Sequence, residues 1–150
     1  MTVISIVGRK VTGEERRGYK AVSELVRSAD YKPLNICEIH ALLNPGRHYA
    51  GIIRQGDEEA AGVQRFYRTY ASALKWNIGQ DSVIIDWFIG AFGRCMRPFE
   101  DGNAAVFFFV ENHLLQVHDL PWREKPLPHE VFLDFREFNF NQVFRKLIPQ

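Results

Sequence analysis

Ala104-Ala105-Val106-Phe107-Phe108-Phe109-Val110-Glu111-Asn112-His113-Leu114-Leu115-Gln116-Val117-His118 is the stretch whose reading decides the fold. Its first seven residues are uninterrupted in their apolarity, which suits a strand covered on both faces. Asp101-Gly102 ahead of them is a turn signal, and Glu111-Asn112-His113 reads as a hairpin turn into a second strand, Leu114 to His118. Downstream, Pro121, Pro126 and Pro128 frame an extended loop, and Val131, Leu133 and Phe135 alternate with more polar positions as a third strand. Asn139 to Leu147 reads as a short closing helix carrying Phe140, Val143, Phe144 and Leu147. On this reading the C-terminal half is a mainly antiparallel, aromatic-rich sheet.

Upstream the periodicity changes. Val3 to Val7 is short, β-branched and closed by Gly8, the pattern of a strand. Thr12-Gly13-Glu14-Glu15 then forms a capping box, followed by Tyr19, Val22, Leu25, Val26 and Ala29 at helical spacing. Pro33 suits the first turn of a second helix with Ile36, Ile39 and Leu43 on its apolar stripe, and Asn44-Pro45-Gly46 stops it. His48 to Arg54 reads as a short strand. From Asp57 to Lys75 a longer helix places Val63, Phe66, Tyr67, Tyr70 and Leu74 on one face. Asp81 caps the next segment, which runs to Phe92 and is apolar around nearly its whole circumference; it reads as a central helix, with a buried strand as the alternative. One strand, several helices and then a run of strands predict an α+β fold: a single domain, residues 1–150, with a helical middle packed on the sheet.

Composition narrows the function classes. Nineteen basic against 18 acidic residues leave a net charge of +1, and no run of Lys or Arg exceeds two, so general attraction to nucleic acid is not indicated. Arg65, Arg68 and Lys75 on the long helix read as a solvated face. Two cysteines and an N-terminus without a signal-peptide pattern point to a cytoplasmic setting, and no apolar run reaches the ~20 residues of a membrane span.

Candidate chemistry is sparse. Cys37 and His40 lie three apart on the second helix and would share a face, as a nucleophile with its base or half of a metal site; His48 is the one obvious further ligand, too few for zinc. The plain alternative is an inert buried cysteine and a partly exposed histidine. Asp86 stands inside the most apolar segment, where burial would raise its pKa toward that of a general acid. Ser82, Asp86, Gly90 and Gly93 fall on one narrow side, so that strip equally suits solvent or a structural hydrogen bond. His113, His118 and His129 are candidate acids or bases, although His113 and His118 would point to opposite faces of a continuous strand. Gly8-Arg9-Lys10 lacks the spacing of a phosphate-binding loop.

Trp122, Arg123, Glu124 and Lys125 lie in the proline-framed loop, and Trp and Arg are the side chains most often found at the energetic centres of interfaces. Either this is a partner-binding surface or Trp122 folds back to cover the sheet. These features together predict a cytoplasmic protein-binding module that neutralises or regulates a protein partner, of the antitoxin or immunity type with a toxin as partner, using no cofactor and no metal. The alternative is a small metal-independent hydrolase using Asp86 with a histidine, His40 or His118 among them.

Overall fold

Thr12 opens the first helix in the way its spacing to Glu15 predicts. Its hydroxyl accepts from the Glu15 N–H at 3.1 Å, while the Glu15 carboxylate accepts from the Thr12 N–H at 3.3 Å. In the computed structural model, which describes residues 12–79, 82–90, 92 and 96–125, this helix is α1 (Gly13–Ser28). It is followed by α2 (Ile36–Leu43), α3 (Asp57–Ala73), α4 (Val83–Ile89) and α5 (Asn103–Val117).

Side-chain hydrogen bonds fix the starts of α2 and α5. Pro33 stands ahead of α2 rather than in its first turn, because Asn35 is the cap: its Oδ1 accepts from the N–H groups of Cys37 and Glu38 at 3.0 and 3.2 Å. The Ile36 N–H, another of the unpaired donors of that end, donates to the Tyr67 hydroxyl at 3.0 Å. Before α5, Asn103 turns back on Phe99, accepting from its N–H at 2.8 Å and donating to its carbonyl at 2.9 Å. Asp81, read as the cap of the fourth helix, lies outside the described residues, and Ser82 takes the cap position.

The expected α+β fold, with its mainly antiparallel sheet, is not what the chain adopts. Among the described residues there are five helices and no strand. The two strands and hairpin read between Ala104 and His118 are one continuous helix, α5, in which Glu111, Asn112 and His113 sit buried in the middle rather than at a turn. The physical reason is burial. Continuous apolarity fits a strand covered on two faces, and it fits equally a helix covered all round. Every residue from Val106 to Leu115 is buried, and α5 packs against α1, α2 and α4. It is therefore the central helix, a role the sequence reading assigned to α4. His48 to Arg54, read as a strand, is a series of turns with one isolated bridge between Ile53 and Phe99. The strands read at Val3 to Val7 and Val131 to Phe135, the helix at Asn139 to Leu147, Gly8-Arg9-Lys10 and His129 lie outside the described residues.

Aromatic rings fill the space between the helices. Phe66 of α3 stacks on Phe88 of α4 with centroids 5.6 Å apart and meets Phe107 of α5 edge-on at 5.4 Å. Fully buried rings of this kind contribute roughly 1.5–3 kcal/mol each by transfer out of water. Close helix approach adds a tight constraint at Gly18 of α1, where a Cβ would lie 1.9 Å from the Leu42 carbonyl oxygen of α2. Among the described residues no helix is long and apolar enough to cross a membrane.

Candidate functional site: a guanidinium over a buried carboxyl pair

After α5 the chain reverses at Asp119, whose φ of 58° is the left-handed conformation that Asp tolerates better than most residues. Leu120 to Lys125 then runs back along α5 as a strap. The Leu120 N–H donates to the Leu115 carbonyl at 2.8 Å, the Trp122 Nε1–H to Gln116 Oε1 at 3.2 Å, and the Arg123 N–H to Asn112 Oδ1 at 2.8 Å. Gln116 also donates through Nε2 to the Val26 carbonyl at 2.8 Å, which joins Trp122 to the C-terminal turn of α1.

This strap delivers the Arg123 side chain onto two carboxyl groups. Its Nη2 donates to both oxygens of Asp86 on α4 at 3.0 Å, and its Nε to Glu111 Oε1 on α5 at 2.5 Å. Ser82 Oγ lies 3.5 Å from the same Nη2, so the narrow polar strip of α4 faces the strap. The carboxyl groups are the inner layer: their side chains are 10% and 2% exposed against 27% for Arg123. One guanidinium cannot neutralise two carboxylates, and the excess favours the protonated form of the Glu111 carboxyl. Burial first, then its hydrogen bond to Asp86 and the Asp86 charge, raise the Glu111 pKa to about 8 against the opposing pull of Arg123. Arg123 loses hydration by burial, but Asp86 and Glu111 outweigh that and hold it more firmly charged.

Outside Arg123 lies a cleft of about 340 Å³ lined by Arg27, Trp122, Arg123 and Glu124. The Arg27 guanidinium sits over the Trp122 ring, 5.0 Å from its centroid. Trp122 is half-buried and packs against the core, so it both covers the helices and presents an edge to the cleft. Glu124 and Lys125 are exposed.

The histidines are placed elsewhere. His40 accepts from the Gly51 N–H through Nδ1 at 2.9 Å and donates through Nε2 to the Asp101 carbonyl at 2.7 Å, stacked on Phe99 with centroids 3.9 Å apart. Burial lowers its pKa, a trend the Asp101 carbonyl only partly offsets. His113 accepts from the Tyr70 hydroxyl through Nδ1 at 2.6 Å and donates to the Asp30 carbonyl at 2.8 Å; burial lowers its pKa too. His118 donates to the Ala73 carbonyl at the end of α3 at 2.8 Å, beside the Trp76 N–H that donates to the same oxygen at 3.3 Å. None of the three is hydrogen-bonded to Asp86, and each fastens one segment to another. Cys37 is half-buried, with its thiol pKa pushed up by burial, and His40 has both ring nitrogens engaged away from it. Among the described residues no group of His, Cys, Asp and Glu side chains has the arrangement of a metal site.

Sequence reasoning missed two residues of the site, Arg27 at the cleft and, more tellingly, Glu111 beneath it. Read as part of a turn, it carried no signal; placed on a helix, it is an acid in an otherwise apolar run, the same pattern that drew attention to Asp86. Comparison of the chain with protein-family models, with curated proteins and with solved structures returned no match.

Proposed function

We propose that this chain is a non-enzymatic, cytoplasmic protein-binding module that neutralises or regulates a protein partner, as antitoxins and immunity proteins do. The observation that carries the reading is the cleft at the strap, where an aromatic ring and two guanidinium groups meet at the surface. Trp and Arg are the anchors most often found at interface hot spots, and a strap tied down at three points presents them with little ordering left to lose on binding. The hydrolase alternative has less in its favour. Glu111 with its raised pKa beside Asp86 is a reasonable acid, but Arg123 covers both and none of the described histidines joins them.

Affinity capture with the tagged full chain from a lysate of its source organism tests the proposal. A stoichiometric protein retained by the native chain and lost with Trp122→Ala or Arg27→Ala is the expected result, with each substitution weakening binding by about tenfold or more. Retention of the same partner by both variants removes the cleft from the interface. Reproducible absence of any stoichiometric partner overturns the reading.

A further inference from the structure

The donors lining the cleft are unevenly used. Arg123 spends Nε and Nη2 on Glu111, Asp86 and Ser82, which leaves its Nη1 without a hydrogen-bond partner among the described residues. Arg27 is exposed, and its guanidinium meets the Trp122 ring but makes no hydrogen bond or ion pair among the described residues. Two guanidinium groups with spare N–H donors therefore border one small cleft, and the other described residues that line it are Trp122 with its indole and Glu124 with its carboxylate. Asp86 and Glu111 lock the Arg123 fork from behind, so its outward donors are pre-aimed rather than free to rotate.

We propose that this cleft takes an acidic side chain of the partner protein, a Glu or Asp carboxylate received by Arg27 and Arg123 with the neighbouring apolar residue of the partner laid against Trp122. The proposal rests on the partner-binding reading above and gives it a chemistry. Guanidinium donors match carboxylate geometry and bind it by charge-assisted hydrogen bonds, about twice as strong as neutral ones. A phosphate-bearing chain is the less suitable occupant. Nucleic acid needs a track of cations along its backbone, whereas this cleft has two guanidinium groups beside an acid, on a chain of net charge +1. Among the described residues Glu124 is the wall residue that repels an acidic ligand, so it limits affinity and supplies an independent handle.

The test follows the Trp122 indole N–H resonance of the ¹⁵N-labelled full chain, assigned by its loss in Trp122→Phe. Three blocked pentapeptides of the form Gly-X-Leu-X-Gly, with X as Glu, Gln or Lys, are titrated separately, and inorganic phosphate and a short single-stranded oligonucleotide serve as further probes. The Glu peptide is expected to shift the resonance saturably and about fivefold or more tighter than the Gln peptide, as one partly exposed charge-assisted contact gives. Arg27→Gln should abolish that preference, and Glu124→Gln should tighten Glu-peptide binding about two- to fivefold. Equal or tighter binding of the Gln or Lys peptide overturns the acidic chemistry while leaving the cleft as a partner site. Tighter binding of phosphate or the oligonucleotide overturns the choice of a protein ligand. If no peptide of any charge moves the resonance, the acidic-ligand proposal and the assignment of the partner site to this cleft both fall.

Discussion

Burial first, and then the neighbouring Asp86 carboxylate, hold a proton on Glu111 more tightly than on a free carboxyl, and this makes a pH prediction. A carboxyl whose folded pKa is raised contributes stability that is complete below its ordinary value of 4.5 and is lost as pH rises through the folded value near 8. His40 and His113 act in the opposite sense. With folded pKa values lowered from 6.5, they contribute stability that is present above pH 6.5 and lost as pH falls below it. Between pH 6.5 and 8 the Glu111 slope stands clear of the histidines, on the order of 1 kcal/mol per pH unit at most. Glu111→Gln places a permanent neutral amide there, its oxygen accepting from Arg123 and its NH2 donating to Asp86. Urea unfolding across that range should show the native chain losing stability and the Gln variant staying flat. An equal slope in the two proteins would place the proton elsewhere.

At the scale of elements, Gly18 decides how α1 and α2 meet. Replacing an interior helical glycine by alanine ordinarily stabilises a helix by about 0.5–1 kcal/mol. Here the added methyl would lie 1.9 Å from the Leu42 carbonyl oxygen, a backbone atom that cannot move aside alone. Gly18→Ala should therefore destabilise by about 1–3 kcal/mol, read as a lowered unfolding midpoint; a raised midpoint would mean that α2 slides without cost. This contact was invisible beforehand, since nothing in the chain says which helices cross where. What could be read were starts set by neighbouring residues, such as the cap at Thr12 and Glu15, and one-sided stripes such as Phe66, Tyr70 and Leu74. α5 was misread for a physical reason. Its apolar residues surround it, so it carries no stripe, and Asn112 and His113 imitate a turn when their partners, the Arg123 N–H, Tyr70 and Asp30, are distant in the chain. The same separation hid half of the site: Asp86 drew notice as an acid among apolar residues, but its pairing with Glu111 and Arg123 exists only once three segments have met.

For the molecule as a whole, Arg123 ties the strap to α4 and α5 at once, so its loss should be felt throughout. Arg123→Ala leaves Asp86 and Glu111 buried without their cation, a change that costs about 3–5 kcal/mol. Arg123→Lys keeps the charge without the fork and should fall between. The measurement is denaturant unfolding followed by helical circular dichroism and by tryptophan emission. Coincident transitions at a lowered midpoint are expected; an unchanged midpoint in the Ala variant would show that the strap does not belong to the cooperative unit.

The central position of α5 also bears on the order of events during folding. A helix with no solvent face has little to gain from forming alone, since its neighbours supply nearly all of its burial. α4 is close by in the chain, but the N-terminal neighbours are far off: the Asp30 carbonyl that receives the His113 N–H is 83 positions away, and the Val26 carbonyl that receives Gln116 is 90. Long loops must close before such contacts repay their entropy, so the rate-limiting step is set by the meeting of the N-terminal helices with α5. In tempo this bundle should resemble a sheet protein more than its helical content would suggest.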